Sequence, residues 1–120
     1  MWYTKEKEGD DVHSKNSEIT IEVVGDGVTR RILSYSDKIM VVELNFKSGA
    51  AGTMHEHYHE QVIYVVSGKI AYREEGKPDT IMTAGDSYYI APNLVHGALA
   101  LEDSKILDIF TPAREDFLKK

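Results

Sequence analysis

An all-β sandwich or barrel is the fold class this sequence predicts. Two observations lead there. Short runs rich in β-branched and aromatic residues follow one another from Glu18 to Phe110. Between them, at regular spacing, lie clusters of Gly, Asp, Ser, Lys and Pro that read as turns.

The runs follow in order. Ile19 to Val24 stops at Gly25-Asp26-Gly27. Val28 to Tyr35 is followed by the turn Ser36-Asp37-Lys38, and Ile39 to Phe46 by Lys47-Ser48-Gly49. After a His-rich segment come the apolar run Val62 to Val66 and the turn Ser67-Gly68-Lys69. Ile70 to Arg73, Thr80 to Thr83, Ser87 to Ile90, Val95 to Leu101 and Lys105 to Phe110 complete about nine strands. A short helix is expected at the end, with Thr111 as N-cap, Pro112 as first residue and Ala113 to Leu118 as body.

Residues 1–17 are polar and charged and read as an N-terminal arm, leaving 18–120 as a single barrel domain. A chain of 120 residues can bury roughly two-thirds of its unfolded surface without staples. There is no cysteine, so any metal ligands come from imidazole, carboxylate or amide groups. The formal net charge of −6 and the absence of a basic patch argue against a nucleic-acid partner. An anionic ligand would need a locally positive site. No apolar run approaches the ~20 residues of a membrane span, and the first residues lack a secretory pattern. A soluble, cytoplasmic protein is expected.

Strand parity carries a further message. If Gln61 points inward, Ile63 and Val65 do too, and Val62, Tyr64 and Val66 point out. A strand apolar on both faces needs cover on both. A homodimer would supply it, and the arm or the C-terminal helix are the alternatives.

The chemistry concentrates in the segment from Gly49 to Gln61, where His55, His57 and His59 fall within five positions. On an extended strand His55, His57 and Gln61 share one face, so two imidazoles and an amide oxygen can converge on a metal ion. His59 has the same parity but sits where the strand should bend. Glu60 points the other way. Downstream, the stretch from Gly85 ends in His96 inside an apolar strand, which alone reads as a core histidine. Asp108 interrupts Ile106 to Phe110, apolar on both sides. It is either a carboxyl in a dry place with a raised pKa, suited to general acid/base work, or an outward Asp paired at a strand edge.

The spacing G-x5-H-x-H-x3-Q-x6-G from Gly49 to Gly68 resembles the first motif of the cupin family, and Gly85 to His96 resembles the second. That resemblance implies a double-stranded β-helix (jelly-roll) barrel, often dimeric. It implies His55, His57, Gln61 and His96 as ligands of one divalent transition metal, with Zn²⁺, Ni²⁺, Mn²⁺ and Fe²⁺ all compatible. Gln61 stands where the family usually has glutamate, Leu94 where it has glycine and Ala100 where it has asparagine. With Gln61 the ligand set is neutral and the full +2 charge stays on the ion, a stronger Lewis acid. It also departs from the two-His, one-carboxylate set of non-haem iron oxygenases.

Gly27 to Arg31, His57 to Gln61, Gly85 to Tyr88 and Leu107 to Leu118 are similar to the pectin-degradation cupins of the KdgF family. That likeness implies conversion of 4,5-unsaturated monouronates from pectin or alginate to linear 4-deoxy-5-keto uronates. It implies Asp108 as the acid/base and Phe110 as packing for the sugar. Arg30, Arg31, Arg73 and Arg114 are candidates for the substrate carboxylate. Arg31 and Arg114 are preferred, as they lie in the shared stretches. Two other readings stay open: another cupin enzyme (isomerase, lyase or dioxygenase), or a metal-containing module that binds a small acid as a sensor.

Overall fold

The computed structural model describes residues 12–118; most of the expected N-terminal arm, residues 1–11, lies outside them. Nine strands follow a 3-10 turn at Asn16–Glu18: β1 (Glu22–Gly25), β2 (Val28–Tyr35), β3 (Met40–Phe46), β4 (Glu60–Ser67), β5 (Lys69–Glu74), β6 (Thr80–Thr83), β7 (Ser87–Ile90), β8 (His96–Ala100) and β9 (Ser104–Thr111). The strands of 28–35, 80–83 and 87–90 coincide with the expected runs, and the others differ by one to three residues at an end, as ends commonly do.

All pairings are antiparallel. They form a six-stranded sheet, β1-β2-β3-β9-β4-β7, and a three-stranded sheet, β6-β5-β8. The barrel is therefore a jelly roll of two facing sheets rather than a closed ring of strands. Between β3 and β4 the chain crosses to the small sheet without becoming a regular strand. There it makes the isolated bridges Ala51↔Leu99 and His55↔His96.

Two glycines make the crossings possible. At Gly97 a Cβ would stand 3.1 Å from the Gly52 carbonyl oxygen, so the crossing segment lies close against β8. At Gly68, between β4 and β5, φ is +90° and a Cβ would fall 2.4 Å from the Asp103 carbonyl oxygen. Only glycine fits there.

The main core lies between the sheets and joins Val28, Phe46, Ile63, Val65 and Ile106 of the large sheet to Ile70, Tyr72, Met82, Ala98 and Ala100 of the small one. A second cluster of Met40, Val42, Phe110 and Ala113 takes Phe117 and Leu118 against it. The alternation expected of β4 is present. Gln61, Ile63 and Val65 are buried, while Tyr64 and Val66 are each 40% exposed.

The terminal helix is shorter than expected. α1 spans Glu115–Leu118, because Thr111 remains paired with Glu60 in the sheet. A residue held in a ladder cannot cap a helix, and the chain needs Pro112 to Arg114 to turn back over the sheet.

Replacing Gly68 by Ala is expected to lower unfolding stability by about 1–3 kcal/mol. Denaturant melts should show an earlier midpoint with an unchanged slope.

Candidate metal centre and adjoining cavity

His96 opens β8 and Gln61 is the second residue of β4. His55 is brought opposite His96 by reciprocal hydrogen bonds, each backbone N–H donating to the other's carbonyl at 2.9 Å. His57 lies on the link to β4, where its carbonyl accepts from the Asn93 N–H at 2.7 Å. The ligand nitrogens of His55, His57 and His96 all lie within 4.8 Å of one another. The expected route to this convergence, a single extended strand, is not the one taken. His55 is in a bridge, His57 is outside any strand and Gln61 is in β4. The cause is the crossing described above, which lays residue 55 against β8.

Protons decide what this cluster can do. In each imidazole Nδ1 faces a backbone carbonyl: His55 with Thr53 at 2.7 Å, His57 with His59 at 3.1 Å and His96 with Leu94 at 2.8 Å. A carbonyl only accepts, so each Nδ1 carries the hydrogen and donates it. Each Nε2 therefore offers a lone pair. The Gln61 amide oxygen stands 3.0 Å from His57 Nε2 and 3.2 Å from His96 Nε2. Burial, helped by Arg114, lowers the pKa of His57 to about 4. Burial also lowers that of His96. Burial thus favours the neutral form of His57 and His96, in which no proton separates their Nε2 atoms from the Gln61 oxygen. A cation satisfies such an arrangement, and backbone carbonyls that lock the imidazole tautomer are the usual outer partners of metal-bound histidine. The donor set of three imidazoles and an amide fits a divalent transition ion.

His59 is buried but is not one of the three clustered histidines. Its ring stacks on Tyr58 at 4.0 Å. Glu60 is exposed and accepts a hydrogen bond from the Tyr89 hydroxyl at 2.6 Å, as its parity implied.

Next to the cluster is a cavity of about 190 Å³ whose lining includes His55, Asp108, Phe110, Arg30, Arg114 and Phe117. The register of the large sheet explains the company. Phe110 of β9 pairs with Gln61 of β4, and Asp108 pairs with Ile63 on one side and Val42 on the other. Gln61 and Asp108 are therefore diagonal neighbours on the inner face.

Asp108 lies between the two apolar clusters, 7% exposed, and its Oδ1 finds no hydrogen-bond partner. Burial raises its pKa to about 7, against the pull of a hydrogen bond from Gln61 and of the Arg114 charge. The inward, dry position is the first of the two placements its sequence context allowed. Gln61 thus turns its oxygen to the imidazoles and its N–H to Asp108, which a glutamate could not do.

The arginines divide by strand parity. Arg114 lines the cavity, with its guanidinium carbon 5.0 Å from the Phe110 ring centroid. Arg31 does not line it. It faces the outer side of β2 and pairs with Glu43 at 3.2 Å. Its neighbour Arg30 takes the inward position, since adjacent strand residues point to opposite faces. Val28 is buried at the start of β2, so the parity that places Arg30 inside was readable from the sequence. Arg73 is exposed and paired with Asp79.

The cupin domain model matches residues 42–110. The chain is 41% identical over 99 residues to the pectin degradation protein KdgF of Dickeya dadantii, covering 81% of this chain and 89% of that one. Among solved structures, KdgF from Halomonas sp. superposes with a TM-score of 0.82 at 36% identity, over 88% of this chain and 98% of that one. An RmlC-like cupin from Shewanella frigidimarina gives 0.83 at 38% identity, over 88% and 94%. With this fold, these motifs and these relatives, the chain belongs to the cupin family.

Proposed function

We propose that the protein is a metal-dependent enzyme that converts a 4,5-unsaturated monouronate to the linear 4-deoxy-5-keto uronate. The observation that carries this reading is the composition of one cavity. A candidate metal ligand, His55, an isolated carboxyl, Asp108, an aromatic ring, Phe110, and two guanidinium groups all line it. Its volume of about 190 Å³ lies below the ~300–1,000 Å³ of pockets for drug-sized ligands, which suits a single small ring. Two arginines provide the locally positive site that a chain of net charge −6 needs for an anionic substrate. The likeness to the pectin degradation protein KdgF supports a place in pectin breakdown, in keeping with the uronate that the family resemblance implies.

His55, His57, His96 and Gln61 would hold the ion. When bound it supplies a Lewis acid of full +2 charge to the substrate oxygens. Asp108, as the carboxylate, takes the proton of the anomeric hydroxyl while the ring carbon–oxygen bond at C1 breaks, which leaves an aldehyde and an enolate. The same carboxyl returns that proton to C4 as the enolate becomes the ketone. The substrate and product are isomers, so the proton balance closes on one residue. A carboxyl with a pKa of about 7 is matched to giving and taking a proton near neutral pH. Phe110 packs against the sugar, and the apolar walls around Asp108 keep out bulk water, which strengthens every charge interaction in the site.

Metal-loaded protein is expected to speed the loss of the ultraviolet band of the conjugated enol-carboxylate of unsaturated galacturonate, and a chelator should abolish the effect. A rate equal to the spontaneous one would contradict the reading. Asp108→Asn should retain metal and lose about 10²–10⁴-fold in kcat. Unchanged turnover would remove Asp108 from the chemistry. The pH profile has a definite sign. The resting base is the carboxylate, so kcat/KM rises with pH and levels off near or below pH 7, since a bound +2 ion favours the charged form. A flat or falling profile in the wild type would contradict the assignment.

We also propose that the outer face of the large sheet is covered by a second copy of the chain. Val41, Ile109, Val62 and Tyr89 are paired in register across β3, β9, β4 and β7 and form an apolar stripe. Tyr64 and Val66 extend it. Glu43, bridged by Arg31 at 3.2 Å and Lys105 at 3.8 Å, lies at its margin, which gives the apolar centre and charged rim of an interface. The described end of the arm runs along β2 instead, where Ser14 meets Ser34, and Phe117 and Leu118 of α1 pack on the second core cluster. Light scattering should find a dimer, and Val62→Lys should yield a monomer that still binds metal. A wild-type monomer at tens of micromolar would contradict this.

A further inference from the structure

The cavity offers a substrate carboxylate two guanidinium groups, and they are not equivalent. Arg114 donates from Nε and Nη2 to the two carboxylate oxygens of Asp116, at 3.1 and 3.0 Å. That two-point pair ties Arg114 to both oxygens of a carboxylate along its side edge, while its terminal edge stays open. Arg30 donates to Glu22 through Nε alone, at 3.2 Å. Its terminal edge, Nη1 with Nη2, makes no hydrogen bond among the described residues. That edge presents two parallel N–H groups, the fork that matches both oxygens of a carboxylate.

Arg30 is also held for the purpose. Its side chain is 17% exposed, and its guanidinium carbon lies 4.1 Å from the centroid of the Phe117 ring. Arg114 lies over the same ring at 4.2 Å. Glu22 on β1 fixes Nε, and Phe117 on α1 supports the guanidinium face, so the planar group has little freedom left to lose on binding. Such stacking on an aromatic ring suits arginine and not lysine.

We infer that Arg30 is the residue that binds the substrate's carboxylate, end-on and bidentately, and so selects uronates over neutral sugars. The inference rests on the uronate reading above and adds a specificity residue to it. Arg31, beside it in the chain, does not line the cavity, and Arg114 is held by both oxygens of Asp116 where Arg30 is held by one of Glu22.

The test compares unsaturated galacturonate with its C6 carboxamide, a neutral analogue of the same shape. For Arg30→Gln, KM for the acid should rise roughly 10- to 100-fold, with kcat changed little and KM for the carboxamide unmoved. Arg30→Lys should fall between, since it keeps the charge and loses the fork. A merely structural role would move both substrates together. That result, or no change for either, overturns the inference. Absence of wild-type turnover in the same assay would instead overturn the proposed reaction. The anchor is then read by calorimetric titration with galacturonate, where at least a tenfold loss in Arg30→Gln supports it and equal affinity overturns it.

Discussion

Three backbone carbonyls, those of Thr53, His59 and Leu94, settle the character of the site. Each accepts the Nδ1 hydrogen of an imidazole, which fixes the tautomer that leaves Nε2 of His55, His57 and His96 free to offer a lone pair. The Gln61 oxygen adds a further lone pair close to two of them. Electron-rich groups at such distances repel unless a positive charge lies among them. The crossing segment, the close approach at Gly97 and the register of β4 against β9 all serve to set these donors in place. In that sense the fold is organised around an electrostatic demand that the polypeptide alone does not meet.

Gln61 ties this demand to the carboxyl beside it. A glutamate there would cancel one unit of the ion's charge and would place a second anion next to Asp108. The amide does neither. It gives oxygen to one side and N–H to the other, so an ion held there would keep its full charge beside the buried carboxyl. The cost falls on Asp108, whose burial without a partner for Oδ1 favours the protonated form. Groups kept in such unfavourable surroundings are characteristic of sites that do chemistry. Arg30 and Arg114 complete the pattern with local positive charge in a molecule whose net charge is −6.

Much of this was legible in the sequence because it depends on local period and spacing. The strand runs and their turns could be read directly, since alternation and turn residues are local signals. The inward parity of Gln61, Ile63 and Val65 followed from a period of two. What could not be read depends on long-range geometry. His55 and His57 seemed to share a strand with Gln61 because their numbering has even parity, yet the chain leaves the strand conformation at the crossing and regains convergence through β8. The carbonyls that fix the imidazoles are backbone groups that every residue carries, so no side chain marks them in the sequence. The helix start at Glu115 depends on Thr111 being paired to Glu60, fifty-one positions away. Arg30 is a different case. Its inward parity follows from Val28, whereas the family resemblance does not separate it from Arg31, since both lie in the shared stretch Gly27 to Arg31.

The most direct test of the central claim is crystallographic. Crystals of the protein loaded with zinc, measured at the zinc absorption edge, should give a single strong anomalous peak within bonding distance of Nε2 of His55, His57 and His96 and of the Gln61 amide oxygen. An ion bound elsewhere, or one that leaves the Gln61 oxygen uncoordinated, would contradict the account of four converging neutral donors.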